Sequence, residues 1–267
     1  MPTCSEISRM TKQVERNVQR LESEDCQPIP SPRAPSNSFN IITFMKKPLS
    51  TQRQLLKLYK QSLVLSQTQY EIAVGCLLGD ASIQSQDGGK TYRLKFQQAD
   101  KLHREYLFHL YDVFNEWVLS PPHFDSKRNM WSFQTISHTE FKKLAQLFVL
   151  NCSGIKCKKH VKPLFIENHL TPLGLAYWFM DDGGKSNYNK DFVRKGFAFN
   201  THGFEKSEVE ILCQGFKTKF DFDCWVKLNK NKHIIVISAK SYEKVIALID
   251  EFVVPSMRHK LPYGKES

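Results

Sequence analysis

The chain has 267 residues, of which 41% are hydrophobic and 12% aromatic, a composition typical of one large or two small globular domains. It contains no apolar run near the roughly 20 residues that a transmembrane helix needs. The formal net charge is +11, and most of it lies beyond residue 50. A basic folded body indicates a polyanionic partner, nucleic acid or an anionic membrane surface, although a solvated surface that is merely basic gives the same charge.

The first 50 residues differ from the rest of the chain. They are rich in Ser and Pro and show little periodicity, which predicts a disordered N-terminal extension over 1–50. Their acidic residues argue against an organellar transit peptide, which would be poor in acids. A leader, a linker and upstream coding sequence all remain open. The seven Cys show no framework spacing and predict reduced thiols.

From residue 51 onward the sequence predicts regular elements. A short helix over 51–64 is followed by a second helix that ends at about Asp80. Two overlapping capping boxes start this second helix, Ser66/Gln69 and Thr68/Glu71. The remaining elements of this part of the chain are strands at 83–86 and 92–98, a helix at about 101–117, a hairpin turning near 127–129 and a helix at about 138–150.

The same order is then repeated. Thr171-Pro172 places a capping residue before a proline and predicts a helix start, and Gly183-Gly184 ends that helix. The elements that follow are strands at 185–190 and 194–201, a helix at about 205–219, a hairpin joining 222–229 to 232–238 and a helix at about 239–251. Each half therefore reads α-β-β-α-β-β-α, which predicts a duplication with a first half at 51–150, a linker at 151–170 and a second half at 171–267.

Two apolar helices end in carboxylates, Asp80 and Asp182, which lie 102 residues apart. An anion at a helix C-terminus is disfavoured by roughly 0.3–1 kcal/mol. If a pseudo-two-fold axis relates the halves, the helices pack side by side, aided by Gly75 and Gly79, and the carboxylates meet. Two such carboxylates repel unless a cation lies between them, and oxygen ligands suit Mg²⁺. The alternative is that each Asp merely caps a buried helix.

Two lysines follow the carboxylates at matching distances. Lys159 lies 79 residues after Asp80, and Lys260 lies 78 residues after Asp182. A lysine beside a scissile phosphate can stabilise developing negative charge or polarise the attacking water. Lysine is abundant in this chain, so coincidence is the alternative explanation.

The predicted hairpins carry Lys, Arg, Asn and Gln on one face. In the strand at 92–98, apolar residues alternate with Arg93, Lys95 and Gln97. Such side chains suit phosphates and base edges in a major groove, although a solvated polar face would look the same at any one position. The predicted DNA-binding residues are Gln84, Gln86, Lys90, Arg93, Lys95, Gln97, Lys127, Arg128, Lys185, Asn187, Asn189, Arg194, Lys227, Lys230 and Lys232.

These features together resemble the single-chain, two-motif LAGLIDADG homing endonucleases. The resemblance covers about residues 55–263 and includes the motif helices, the duplicated order and the basic hairpins. The strings that carry it are Gly79-Asp-Ala81, Asp87-Gly-Gly-Lys-Thr-Tyr92, Trp117-Val-Leu-Ser-Pro-Pro-His123, Leu170-Thr-Pro172, Ala176-Tyr-Trp-Phe-Met-Asp-Asp-Gly-Gly-Lys185 and Lys260-Leu-Pro262.

The resemblance implies an α+β fold, the duplicated homing endonuclease fold with a saddle of two antiparallel sheets of four strands each. It implies an enzyme that cuts both DNA strands at a long, nearly asymmetric site and leaves short 3′ overhangs. The acidic residues Asp80 and Asp182 match the metal-binding position of the motif, and Gly79 and Asp181 hold the position before it. Lys159 and Lys260 match the basic active-site positions. The implied cofactor is Mg²⁺, for which Mn²⁺ can substitute.

Two other functions remain open on the same scaffold. An intron maturase would bind intron RNA and tolerate the loss of the carboxylates, and a DNA-binding regulator would need the basic surface without a metal. The expected partner is double-stranded DNA, with intron RNA for the maturase and no membrane. The expected form is a monomer with internal pseudo-two-fold symmetry. The expected location is an organelle, with a mitochondrion favoured over a chloroplast.

Overall fold

The computed structural model describes residues 49–153, 155–186 and 196–262. The chain divides into two compact units, Met1–Leu63 and Val64–Ser267. The described part of the first unit is helix α1 (Leu49–Ser62). All but the last two residues of the predicted disordered extension lie outside the described residues. None of the helices in the described ranges is long and apolar enough to cross a membrane.

The second unit begins with the elements of the first half in the predicted order. Helix α2 starts at the first predicted capping box, where Ser66 Oγ accepts the Gln69 N–H at 3.1 Å and Gln69 Oε1 accepts the Ser66 N–H at 3.1 Å. The elements are α2 (Gln67–Leu78), β1 (Ser82–Gln84), β2 (Arg93–Ala99), α3 (Asp100–Val113), β3 (His123–Asp125), β4 (Met130–Gln134) and α4 (Lys142–Leu147).

A hairpin that the sequence did not predict follows α4. It consists of β5 (Val149–Ser153) and β6 (Lys156–His160), and β6 pairs with β1 through Gln84 and Lys156. The predicted helix at 138–150 is wrong at its end, because the apolar run that closes it fits a strand as well as a helix. The segment predicted as a linker contains most of this hairpin and the short helix α5 (Phe165–His169).

The second half repeats the order of the first. Helix α6 starts where it was predicted, with Thr171 Oγ1 accepting the Gly174 N–H at 3.2 Å and Pro172 in the first turn. The elements are α6 (Pro172–Asp182), β7 (Gly183–Ser186), β8 (Gly196–Phe199), α7 (Lys206–Phe220), β9 (Cys224–Asn229), β10 (Lys232–Ile237) and α8 (Tyr242–Ile249), followed by a 3-10 helix over Pro255–Lys260.

The strands form two antiparallel sheets. The first has the order β3-β4-β2-β1-β6-β5 and the second the order β7-β8-β10-β9. Every strand pairing is antiparallel among the described residues. The predicted α+β fold class with two antiparallel sheets is confirmed. The first sheet differs from the expectation of four strands because the β5–β6 hairpin extends it to six.

Each sheet packs one face on the helices of its own half. In the first half, Phe96 of β2 packs on Phe114 at the end of α3, with ring centroids 5.3 Å apart. In the second half, Phe199 packs on Trp178 and Phe216, with centroids 4.8 and 5.3 Å apart. These aromatic clusters show which face of each sheet is buried. Because successive side chains of a strand point to opposite faces, the alternate residues lie on the outer face.

Three cysteines are buried free thiols, Cys76, Cys213 and Cys224. Cys157 is disulfide-bonded, and the prediction of reduced thiols is therefore wrong at this position. Cys157 lies directly opposite Cys152 in the β5–β6 register, a proximity that depends on the unpredicted hairpin.

Candidate active site

The site is built on the contact between α2 and α6, the most extensive helix–helix contact among the described elements. A Cβ added at Gly75 would lie 2.1 Å from the carbonyl oxygen of Gly174, so the backbones touch directly. A Cβ at Gly79 would lie 2.4 Å from the Cβ of Asp181. Both glycines predicted to allow close approach therefore do so, Gly75 by direct backbone contact and Gly79 by leaving room for the Asp181 side chain.

The two predicted carboxylates interact electrostatically at the ends of these helices. Asp80 is exposed beyond the end of α2, and Asp182 is the half-buried last residue of α6. Burial, and then the negative charge of Asp80, raise the pKa of Asp182 to about 7, while Lys260 and Lys159 act in the opposite direction. The site thus concentrates negative charge that a cation or a cationic side chain would stabilise.

The two predicted lysines lie at the same helix ends. Lys159 Nζ donates to the carbonyl of Leu77 and, at 2.7 Å, to that of Ala81, while Lys260 Nζ donates to the carbonyls of Met180 and Asp181 at 2.5 and 2.7 Å. Burial lowers the pKa of Lys159 to about 8, against the influence of the nearby carboxylates, and burial also lowers that of Lys260. Each ammonium group therefore offsets the negative end of one motif helix.

Asp181 joins the two halves. Its carboxylate accepts the Asp80 N–H at 3.2 Å through Oδ2 and Gln98 Nε2 at 3.2 Å through Oδ1. Gln98 Nε2 also donates to Asp80 Oδ2 at 3.1 Å. Burial, and then the charges of Asp80 and Asp182, raise the pKa of Asp181 well above its usual range. One amide group thus bridges a carboxylate from each half.

Gln98 lies on the buried face of β2. No role was predicted from the sequence for Gln98, His103 or Asn200. His103 Nδ1 lies 3.0 Å from Gln98 Oε1 and holds the amide. Asn200 Nδ2 donates to the Asp182 carbonyl at 3.1 Å. A signal was available, since Gln98 and Asn200 each follow their motif Asp by 18 residues. For Gln98 there was a second signal, because a polar residue on a buried strand face needs a partner.

The outer face of the first sheet is polar. Arg93, Lys95 and Gln97 alternate with the buried residues of β2 and are partly exposed. Gln84 lies on the same face but is buried, and its Oε1 accepts Arg93 Nε at 3.1 Å. The other predicted residues of this half are exposed, beside β1 or in the turns at each end of the sheet: Gln86, Lys90, Lys127 and Arg128.

A groove of about 460 Å³ opens beside this polar face, between β2, β4 and the segment before β3. Arg93, Lys95, His123 and Gln134 line it. The cationic and amide groups give the groove donors for phosphate oxygens or for acceptors on base edges.

The outer face of the second sheet is more apolar. The register aligns Ala198, Val236 and Trp225 across it, with Lys227 two residues along from Trp225. Lys230 and Lys232 are exposed at the β9–β10 turn, and exposed Lys185 lies opposite Phe197, on the side that packs against the helices. Asn187, Asn189 and Arg194 lie outside the described residues.

The site contains oxygen ligands suited to a hard cation. Within the described ranges, no cluster of three or more His, Cys, Asp or Glu side chains is arranged to hold a metal ion. A bound ion would therefore depend on the two motif carboxylates, backbone carbonyls and oxygen atoms from outside the chain.

Comparisons with known proteins agree with this architecture. The chain is 40% identical over 224 residues to a probable intron-encoded endonuclease 1 of Wickerhamomyces canadensis, a match that covers 81% of this chain and 94% of the relative. It is 28% identical over 204 residues to the cytochrome b mRNA maturase bI2 of Saccharomyces cerevisiae, covering 71% of this chain and 46% of the relative.

A solved structure is also similar, that of the homing endonuclease I-WcaI bound to its DNA recognition sequence. The TM-score is 0.69 at 39% identity, and the match covers 79% of this chain and 93% of that one. The profile of the LAGLIDADG DNA endonuclease family matches residues 70–245. The predicted family, fold and enzyme class are confirmed, and the chain belongs to the LAGLIDADG DNA endonuclease family of DNA-cleaving enzymes.

Proposed function

We propose that this chain is a site-specific homing endonuclease that hydrolyses one phosphodiester bond in each strand of a long, nearly asymmetric DNA site and leaves short 3′ overhangs. The observation that carries the proposal is the pairing of α2 and α6, which brings Asp80, Asp182 and two lysines to one place. The similarity to an endonuclease bound to its DNA recognition sequence supports the same reading. The chain would act as a monomer, because both halves of the centre come from one chain.

A divalent cation, Mg²⁺ with Mn²⁺ as a substitute, fits the oxygen chemistry of this site. Asp80 and Asp182 would hold it, and when bound it would activate water and stabilise the leaving 3′ oxygen. The fit rests on the donor set, two carboxylates and neighbouring backbone carbonyls at the ends of paired helices. Burial, and then the charge of Asp80, raise the pKa of Asp182 to about 7, and a cation would offset both effects. Gly79 and Asp181 belong to the wider predicted set, and Gly79 could contribute its carbonyl oxygen.

The lysines would supply positive charge next to the scissile phosphates. Lys159 and Lys260 are each anchored by helix carbonyls, so their ammonium groups are held in place before DNA binds. A charge fixed in advance stabilises the transition state without a cost of reorganisation. In this role each lysine would stabilise the charge that develops on one strand.

The outer faces of the sheets would bind the DNA. On the first sheet, Arg93, Lys95 and Gln97 are partly exposed on one face, which supports contacts to phosphates and base edges. The proposed contacts of the first half are Gln84, Gln86, Lys90, Arg93, Lys95, Gln97, Lys127 and Arg128. Those of the second half are Asn187, Asn189, Arg194, Lys227, Lys230 and Lys232. Lys185 is kept from the sequence prediction, but it lies opposite Phe197 and not on the outer face, so it is the proposed contact with the least support.

An intron maturase that binds intron RNA is the second candidate function. It is favoured by the relative named cytochrome b mRNA maturase bI2. The presence of both motif carboxylates favours the nuclease without conflicting with a dual role. The name of this relative also supports an organellar location, with a mitochondrion favoured over a chloroplast.

The test is cleavage of a randomised double-stranded DNA library with Mg²⁺, followed by sequencing of the cleaved ends. We expect one long recognition site and short 3′ overhangs. On the recovered site, Asp80→Asn or Asp182→Asn should abolish cleavage and preserve specific binding. Cleavage retained by both variants would contradict the assignment of Asp80 and Asp182 to the active site. Splicing activity on intron RNA that both variants retain, with no DNA cleavage by the wild type, would favour the maturase.

A further inference from the structure

Asp181 belongs to the second motif helix, but its hydrogen-bond donors come from the first half. The side chain is buried, with 7% of its surface exposed. The Asp80 N–H and Gln98 Nε2 donate to its two oxygens at 3.2 Å each. Each Asp181 oxygen already accepts a hydrogen bond from the first half, and the side chain is buried, so Asp181 is less available to a cation than the exposed Asp80.

The Gln98 amide links Asp181 to the Asp80 carboxylate. Gln98 Nε2 donates to Asp80 Oδ2 at 3.1 Å as well as to Asp181. Its Oε1 can only accept a hydrogen bond, so His103 Nδ1, 3.0 Å away, is the donor. This contact orients the amide nitrogen towards both carboxylates. Asp181 therefore holds Asp80 twice, at its backbone N–H and, through Gln98, at its side chain.

The arrangement is not repeated at the other helix end. The motif position of Asp181 is occupied in α2 by Gly79, which has no side chain to offer. Asn200, at the offset of Gln98, donates to the backbone carbonyl of Asp182. The absence of a side chain at Gly79 also leaves the space that Asp181 occupies, since a Cβ at Gly79 would lie 2.6 Å from Asp181 Oδ2. A residue of the second half, Asp181, therefore holds the carboxylate of the first half, and the described contacts show no equivalent in the opposite direction.

We infer that Asp181 is a positioning residue for the Asp80 centre and not a metal ligand, and that cleavage of the two DNA strands depends on it unequally. The inference rests on the proposed endonuclease function and deepens it. Loss of Asp181 frees the Asp80 backbone and leaves Gln98 with one carboxylate partner. Cleavage of the DNA strand at the Asp80 centre then slows. Cleavage of the other strand continues, because the Asp182 centre keeps its own contacts.

The experiment uses the full chain and a duplex carrying the site recovered from the randomised library, with each strand labelled at one end. Single-turnover cleavage of each strand is followed in Mg²⁺ for the wild type, Asp181→Asn and Asp181→Ala. The ratio of the two strand rates should change about tenfold in Asp181→Ala and less in the isosteric Asp181→Asn, with nicked product accumulating. The slowed strand should be the one most affected by Lys159→Met. Half-saturation by Mg²⁺ should stay unchanged.

Glu210→Gln is the matched control, because it removes an exposed carboxylate of the same half, on α7. Among its described contacts, Glu210 pairs only with Lys206, at 3.5 Å. Its strand ratio should equal that of the wild type. Equal slowing of both strands in Asp181→Asn, or a raised Mg²⁺ requirement, would overturn the positioning role while leaving the endonuclease intact. A wild-type chain that cuts no sequence would overturn the proposed function together with this inference.

Discussion

The two motif helices end in the same charged groups but in different surroundings. At the end of α2, Asp80 is held by Asp181 and Gln98, and its lysine comes from strand β6. At the end of α6, Asn200 donates to the Asp182 carbonyl and, among the described contacts, not to its carboxylate, and the lysine comes from the 3-10 helix over Pro255–Lys260. The two halves therefore carry the same charged groups on different supporting elements.

This contrast teaches that equal spacing in the sequence does not imply equal structure. Lys159 and Lys260 lie 79 and 78 residues after their carboxylates, yet one is in a sheet and the other is in a 3-10 helix. Both reach the carbonyl groups at the end of a motif helix. The common requirement is a cation at the negative end of each helix, and two different elements meet it.

Among the groups that support the two motif carboxylates, the lysines should have the largest effect when they are removed. Lys159→Met and Lys260→Met should each lower the single-turnover cleavage rate by about 100-fold, because a preorganised charge is lost. The melting temperature should fall further for Lys159→Met than for Lys260→Met. The Lys159 ammonium group contacts the carbonyls of Leu77, Gly79 and Ala81, whereas that of Lys260 contacts two carbonyls. Equal melting temperatures for the two variants would contradict the structural difference between the helix ends.

The helix contact itself is the next test. Gly75→Ala should destabilise the fold by at least about 1–3 kcal/mol, because its Cβ would meet the Gly174 backbone, which cannot rotate away. Gly203→Ala is the matched control, since a Cβ at Gly203 meets nothing within 4 Å. Chemical denaturation measures both. A Gly75→Ala chain as stable as the control would mean that the helices do not approach as closely as described.

The two amides provide a direct comparison of the centres. Gln98→Ala should slow cleavage about tenfold or more, since it removes a bridge between two carboxylates. Asn200→Ala should have an effect of about twofold, because the Asn200 N–H still donates to the Asp182 carbonyl at 3.0 Å. Cleavage rates on the recovered site measure the difference, and a larger loss in Asn200→Ala would reverse the asymmetry.

The smallest expected effects concern DNA binding by the sheets. Lys95→Gln and Lys232→Gln should each reduce the slope of log affinity against log salt by about 1, if each contacts one phosphate. Lys217→Gln on α7 is the control and should leave the slope unchanged. Binding measured at several salt concentrations without cleavage would check all three, and an unchanged slope in Lys95→Gln would remove it from the DNA surface.

Much of the fold could be predicted because its signals are local. The Ser66 capping box, the Thr171-Pro172 helix start and the alternation in β2 act over a few residues, and the structure has all three as predicted. The β5–β6 hairpin was missed because the apolar end of the helix predicted at 138–150 suits either a helix or a strand. Only the pairing of β6 with β1 decides between them.

The charged residues of the active site could be predicted from the sequence, but the hydrogen bonds between them and their neighbours could not. Asp80, Asp182 and the lysines carry a spacing signal, whereas the bond between Gln98 and Asp181 joins residues 83 positions apart. No local pattern reports such a contact. A buried Gln on a strand indicates that a partner exists, but the identity of that partner depends on how the two helices pack.

The β5–β6 hairpin sets a limit on how the two halves can be recombined. Lys159 serves the end of α2, yet it lies in the stretch of chain that leads to the second half. A hybrid enzyme that joins this first half to the second half of a relative must therefore place its junction after His160. An exchange made before Val149 would replace the strand that carries Lys159 and would leave the first cutting centre dependent on a foreign lysine.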